Sequence, residues 1–401
     1  MNFPLFSLLT LLMLSLYIHI PYCLVKCGYC DFHSLPTQKK EIPHETYAKA
    51  LLSQLQQACL QHGFQGRELV SIFFGGGTPS LMGADLFEAV LKEAKKLFQL
   101  SSDIEITTEM NPATAAYDWL SEVHEVGVNR VSIGIQSFQP HLLKFLDRDH
   151  TKEDIFTVFD DARRAGFENV SCDLIYSIPS QTTREVEEDV KTALSFSPSH
   201  ISAYQLIFEP GTPLTRKYES AEAKKLPPKL DDELALEQFR LVAKLMNDAG
   251  LPRYEVSNFA QVGFESKHNQ HYWKYGEYLG LGSGAVSFVK NHDAAKNFFA
   301  RRGTITRNVH HYLQGDYEWK DVDEINRDAA MSEFCFLALR TREGIDATAF
   351  EACFGKKLNE VFEKQIKKFM QEGLLIANEN HFTLSDRGIE VSNYIFQDFL
   401  L

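Results

Sequence analysis

Apolar positions along the chain fall into two alternating textures. Short runs rich in Val, Ile, Phe and Tyr have the length and β-branched content of buried strands: LSLYIHI (14–20), ELVSIFF (68–74), DIEITTE (103–109), RVSIGIQ (130–136), VSCDLIYSI (170–178) and HISAYQLIF (200–208). Between them stretches such as HETYAKALLSQLQQACL, ADLFEAVLKEAKKLF, TKEDIFTVFDDARRAG and TTREVEEDVKTALSF repeat apolar positions at the period of an amphipathic helix. Strand and helix in steady alternation predict parallel pairing through right-handed crossovers. DDELALEQFRLVAKLMNDAG, after an LPPKL linker, supplies a sixth helix. Six strand–helix units predict an α/β fold, a partial and open (β/α)6 TIM-like barrel, rather than a closed barrel of eight. Folds of this kind place their chemistry at the C-terminal ends of the strands.

Past residue 250 the pattern changes to an irregular, aromatic-rich stretch. After about residue 325 come the helical segments AAMSEFCFLALRT, ATAFEACFG and LNEVFEKQIKKFMQEG, then two short apolar pieces, LLIAN and HFTLS, around a polar turn. The expected division is a barrel over 1–250, a connecting segment containing HNQHYW over 251–325, and a smaller, mostly helical, winged-helix-like domain over 326–401. Winged helices often bind DNA. This one lacks a basic face, and a net charge of −13 opposes general attraction to phosphate, so no nucleic-acid partner is expected.

With 44% hydrophobic and 24% charged residues the chain reads as globular. Its seven cysteines do not suggest a disulfide framework: three crowd into CLVKCGYC, while Cys59, Cys172, Cys335 and Cys353 are scattered and read as buried, inert thiols. The apolar start MNFPLFSLLTLLMLSLYIHI has no basic n-region and no small-residue cleavage site, and it runs straight into the cysteine motif. A cytoplasmic protein is therefore expected. Met13 is an alternative start, with residues 1–12 a mis-called extension, and weak membrane association of the N terminus is the competing reading.

Cys23, Cys27 and Cys30 directly follow the first predicted strand. Thiolates are the usual ligands of iron–sulfur clusters, and three of them leave one iron of a four-iron cluster open. An open position suits a substrate or cofactor, as at open catalytic zinc sites. Zinc is the alternative here, although no fourth Cys or His stands at finger spacing and only His19 and His33 flank the motif. FFGGGTPS (73–80) ends the second strand, where Gly75, Gly76 and Gly77 can offer backbone groups and Thr78 a hydroxyl. Glu109, Gln136, Arg148 and Asp173 lie at or just beyond successive strands, which is the expected lining of a cleft. GLGSGAVSF (280–288) spaces its glycines GxGxG with no clear helix after it, so a dinucleotide fingerprint is rejected.

CxxxCxxC after strand one, with Tyr29 just before the last cysteine, resembles the radical S-adenosylmethionine superfamily. YIHIPYCLVKCGYCDF resembles more narrowly the oxygen-independent coproporphyrinogen oxidase group and its HemW relatives, and the likeness runs from Tyr17 through the C-terminal domain. The resemblance implies a 4Fe-4S cluster on Cys23, Cys27 and Cys30. It also implies S-adenosylmethionine contacts from Tyr17, Tyr29, Gly76, Gly77, Thr78, Glu109, Gln136, Arg148 and Asp173. The implied chemistry is reductive cleavage of that cofactor, with an electron donor of flavodoxin or ferredoxin type.

One position divides the group. True oxidases carry a fourth cysteine two residues after the third, whereas this chain has Phe32, as HemW-type proteins do. HNQHYW (268–273) matches the HNxxYW signature of the same proteins, where the histidine is linked to haem. His268 is therefore the expected haem ligand, with Tyr272 and Trp273 as flat apolar faces. The expected function is a haem chaperone that binds haem and delivers it to an acceptor haem protein. The alternative is radical decarboxylation of coproporphyrinogen III to protoporphyrinogen IX.

Overall fold

In the computed structural model, which describes residues 13–293 and 296–401, the first strand is β1 (Met13–Ile20). Its residues Leu14, Leu16, Ile18 and Ile20 are buried in the layer shared with the helices, while Ser15, Tyr17 and His19 face the barrel interior, as the two-residue strand period requires. Beside it run β2 (Glu68–Gly76), β3 (Gln99–Met110), β4 (Arg130–Gln136), β5 (Asn169–Tyr176) and β6 (His200–Gln205), each parallel to the last. The crossovers are α1 (His44–His62), α2 (Ala84–Leu97), α3 (Tyr117–Glu125), α4 (Lys152–Arg164) and α5 (Thr183–Ser195), and α6 (Asp232–Asp248) follows β6. Local sequence sets their ends. Thr151 with Asp154 and Thr182 with Glu185 form capping boxes at the starts of α4 and α5. Gly63, in the left-handed region, stops α1. The six strand–helix units thus make the open, partial barrel that the alternation predicts.

The stretch from 251 to 325 is not irregular. It contributes β7 (Arg253–Glu255), β8 (Asn258–Ala260), helix α7 (Lys267–Trp273), β9 (Glu277–Leu281), β10 (Val286–Lys290), β11 (Ala300–Ile305) and β12 (Trp319–Ile325). All of these strands join the barrel sheet, whose order is β12-β11-β10-β9-β1-β2-β3-β4-β5-β6-β8-β7. β9 lies parallel to β1, and β7, β8, β10, β11 and β12 add antiparallel at the two edges.

The C-terminal unit has α8 (Arg327–Ala338), β13 (Ile345–Asp346), α9 (Ala347–Phe354), α10 (Leu358–Gln371), β14 (Leu375–Asn378) and β15 (His381–Leu384), then two short helices. Its three strands pair antiparallel in the order β13-β15-β14, in keeping with a winged helix. Its core is aromatic, built on Phe350, Phe354, Phe362, Phe369 and Phe399. The same cluster takes in Tyr275, from the turn before β9, and Phe288, Ala300 and Ile325 from the barrel sheet.

Cys59, Cys172 and Cys335 are buried and Cys353 is half-buried. Among the described residues no helix is long and apolar enough to cross a membrane. The expectations for residues 1–12, an alternative start and weak membrane association, lie outside the described residues.

Candidate functional site

Leaving β1, the chain forms a loop at the barrel mouth that carries the three cysteines. Tyr22–Cys23 pairs with Leu35–Pro36 to close it, and Leu35 N–H donates to the Pro21 carbonyl (2.7 Å) and Thr37 N–H to that of Cys23 (2.8 Å). Cys23 and Cys27 are buried and Cys30 is half-buried. Gly77 N–H donates to the Ile20 carbonyl (2.7 Å), which draws the end of β2 onto the loop. A side chain there would not fit: a Cβ on Gly77 would lie 2.6 Å from the Tyr22 carbonyl and 3.0 Å from Cys23 Sγ. On Gly76, whose φ is +108°, it would lie 2.5 Å from the His19 ring. Thr78 Oγ1 donates to Cys23 Sγ (3.3 Å) and Arg148 Nη1 to Cys27 Sγ (3.5 Å). Burial pushes the Cys23 and Cys30 thiols up, with the neighbouring thiols adding to it, while Thr78 pulls Cys23 down and the Phe32 backbone pulls Cys30 down.

The polar side chains expected at the strand ends meet around this loop. Gly76 N–H donates to Glu109 Oε2 (3.1 Å), so this part of the glycine run orients a carboxyl group. Burial first, and then the charge of Asp173, push Glu109 up to about 8. Burial likewise raises Asp173, against the hydroxyls of Ser202 and Ser132 and the charge of Arg130. Tyr17 is raised by burial and by Glu109. Tyr29 is raised by burial too, with Arg148 opposing. Arg148 Nη2 donates to the Gly134 carbonyl (2.8 Å), while its buried Nε finds no partner among the described residues. Gln136 caps β4 at a φ of +64°, a strained value for a residue with a side chain, and such strain gathers at functional sites. Two carboxyl groups short of positive charge, next to three thiols, suit a cationic ligand beside a metal centre. Among the described residues no group of three or more His, Cys, Asp and Glu side chains is arranged to hold a single metal ion.

His268 stands apart from this assembly. It lies one layer down, its ring 4.9 Å from that of Phe73 and 6.4 Å from that of Tyr17. Nδ1 bonds to Ser71 Oγ (2.8 Å) and Nε2 to Tyr272 OH (2.7 Å), while its backbone N–H donates to Glu105 (3.2 Å). The side chain is buried, and burial pushes it well below the usual imidazole range. Both ring nitrogens of His268, the expected haem ligand, are thus engaged inside the barrel, so an iron there would have to displace Ser71 or Tyr272. His271 is held in the same way by the Glu277 carbonyl (2.8 Å).

Two features at the mouth have roles that the sequence did not show. His19 bonds to Tyr17 OH (2.9 Å) and to the His33 carbonyl (2.7 Å), tying strand to loop. The GLGSG turn after β9 underlies the same loop: Gly282 abuts the His19 carbonyl and Gly284 the His33 ring, and neither place leaves room for a Cβ. Glycines at the end of a strand, as in FFGGGTPS, were the available signal.

An open α/β barrel whose mouth is closed by a CxxxCxxC loop defines a radical S-adenosylmethionine protein, and the pattern of the Radical SAM superfamily matches residues 17–193. That of the HemN C-terminal domain matches residues 325–391. Heme chaperone HemW of Bacillus subtilis (strain 168) is 34% identical over 396 residues, covering 97% of this chain and 99% of that protein. Heme chaperone HemW of Haemophilus influenzae is 36% identical over 393 residues, 96% and 98% of the two chains. This chain belongs to the HemW family. Coproporphyrinogen III oxidase (HemN) from Escherichia coli superposes with a TM-score of 0.79 over 98% of this chain and 92% of that one, a likeness of fold at 22% identity. Membership of the superfamily implies a 4Fe-4S cluster and S-adenosylmethionine.

Proposed function

We propose that the protein is a haem chaperone, binding haem and passing it to an acceptor haem protein, with a 4Fe-4S cluster on Cys23, Cys27 and Cys30. On this reading S-adenosylmethionine lies against Tyr17, Tyr29, Gly76, Gly77, Thr78, Glu109, Gln136, Arg148 and Asp173. On the same reading the stretch 1–250 carries the cofactor-binding residues, 251–325 extends the barrel sheet toward the tail, and 326–401 forms the C-terminal domain. The observation that carries the cofactor assignment is the juxtaposition of three thiols with Glu109 and Asp173. Both carboxyl groups are raised by burial, and the ammonium and sulfonium of the cofactor would relieve that cost. When bound, cluster and cofactor together supply one-electron reductive cleavage at sulfur. The chain's part is to orient and to keep water away.

The haem assignment is supported by the names of the relatives and by Phe32, which stands where the oxidases carry a fourth cysteine. The test is anaerobic reconstitution followed by iron, sulfide and haem quantification on one sample. Expected are iron and sulfide in equal amounts, a Soret band on adding haem, and no protoporphyrinogen from coproporphyrinogen III. Zinc as the sole bound metal would overturn the cluster, and turnover to protoporphyrinogen would overturn the chaperone.

A further inference from the structure

A groove of about 930 Å³ opens between α6 and the wing of the C-terminal unit, and none of the residues expected to hold the cluster or S-adenosylmethionine lines it. That is room enough for an organic ligand. One wall is a face of the wing: Ile376 and Asn378 of β14 lie opposite Thr383 and His381 of β15 in the strand register, and all four line the groove. This placement accounts for Ile376, a large apolar side chain left 51% exposed. α6 adds Phe239 and Ala243, while β7 and the turn after α8 add Arg253, Arg340 and Arg342.

Two of these arginines are held as forks. The Arg253 guanidinium lies over the rings of Phe239 (4.4 Å) and Phe259 (5.1 Å), and that of Arg340 over Trp273 (4.7 Å) and Phe396 (5.9 Å). Aromatic contacts fix the plane and leave the N–H edge for hydrogen bonds. Yet among the described residues neither guanidinium has a hydrogen bond or ion pair, and the Nε of each is buried without a partner. The acids of the groove are mostly taken. Asp248 pairs with Lys244 (2.7 Å), Glu390 with Arg240 (2.7 Å) and Glu343 with Lys274 (3.0 Å), while Glu255 accepts from Asn258 and from the Ser257 N–H (3.0 Å). Glu255, Asp386 and Glu390 act on Arg253 only from beyond ion-pair reach. Two planar forks without an oxyanion match a ligand that carries two carboxylates.

His381 sets an imidazole on the same wall. Its Nε2 is 4.0 Å from Asp346 Oδ2, and a carboxylate behind the ring is the usual backing of a metal-ligating histidine. The end of the HNQHYW segment also touches the groove from behind, Trp273 through Arg340 and the next residue, Lys274, through Glu343.

We propose that this groove is a haem site. The propionates lie on Arg253 and Arg340, the macrocycle rests against Phe239 and Ile376, and His381 meets the iron. The proposal rests on the reading that the protein binds haem.

Haem titration of the full-length protein, followed in the Soret region, tests it, with haem dimethyl ester, whose propionates are masked, as the second probe. The double variant Arg253→Gln with Arg340→Gln and, separately, Ile376→Glu are each expected to weaken haem binding about tenfold, or about 1.4 kcal/mol. The arginine double variant should bind the ester as the parent does, which a merely misfolded protein would not. His381→Ala is expected to shift the Soret maximum of bound haem. Reconstituted iron and sulfide should be unchanged in all three. If the parent binds haem and all three variants match it, or if the parent takes the ester as tightly as haem, the proposal alone is overturned. A parent protein that takes up no haem overturns the chaperone reading together with it.

Discussion

The barrel's floor and its mouth are both lined by polar side chains, yet the two have opposite characters. At the floor most groups have found another, with Arg130 Nε an exception, since it has no hydrogen-bond partner among the described residues. Ser15 bonds to Ser71 (2.7 Å), Ser171 to His200 (2.8 Å), and His200 to Tyr254 (2.8 Å). Glu105 accepts from Ser266 and from the backbone of Lys267 and His268, with Arg130 3.9 Å away. At the mouth Glu109 and Asp173 repel one another, the Arg148 Nε is unmatched among the described residues, and the thiols lie side by side. A buried polar group with its partners in hand stabilises the fold, and one without them is waiting for a ligand. This contrast, rather than the residue type, separates His268 from Cys27.

Substitutions at the two ends should therefore fail differently. The largest effect is expected from Cys27→Ser at the mouth: reconstitution should leave essentially no iron or sulfide, while circular dichroism and the urea midpoint stay those of the parent. A protein that loses its fold instead would make the thiol a structural one. At the floor, Arg130→Met leaves the buried Glu105 without its cation and should cost about 3–5 kcal/mol in denaturant unfolding. His268→Ala removes the partner of both Ser71 and Tyr272 and opens a cavity, for about 2–4 kcal/mol, and haem titration of the folded fraction shows whether the imidazole also holds the iron. Loss of haem binding at unchanged stability would make His268 a ligand, and retained binding would make it purely structural. Glu109→Gln is expected to weaken S-adenosylmethionine about tenfold by isothermal titration, roughly 1.4 kcal/mol.

The smallest effect is one of pH. Glu109 keeps its proton in the folded state to about 8, whereas the unfolded chain gives it up near 4.5. Stability should therefore fall as pH rises from the lower value to the higher and level off above it. Glu109→Gln should remove that slope. A slope that persists in the variant belongs to another group.

The barrel was legible because each strand is a compact apolar run: RVSIGIQ is β4 from first residue to last. α3 shows no clear period of its own because its nine residues bury only Leu120 and Val123, too few to set one. The strands after residue 250 were missed for a related reason. β11 and β12 are studded with Arg, Lys, Asp and Glu, and what makes them strands is pairing with distant neighbours. The mouth residues could be found because polar groups at the ends of apolar runs stand out. The setting of His268 was not legible because its aromatic neighbours are adjacent in sequence, while Ser71 and Glu105, which hold it, lie 197 and 163 positions away.

The aromatic cluster that joins Phe350 and Phe354 to Tyr275, Phe288, Ala300 and Ile325 bears on how this chain can be cut. A truncation at residue 325 would strip the cover from one edge of the large sheet and bare four apolar side chains at once. The tail is thus no detachable module. Expressed without it, the barrel should clump, and shortened versions in nature would have had to repaint that edge with charge before letting the tail go.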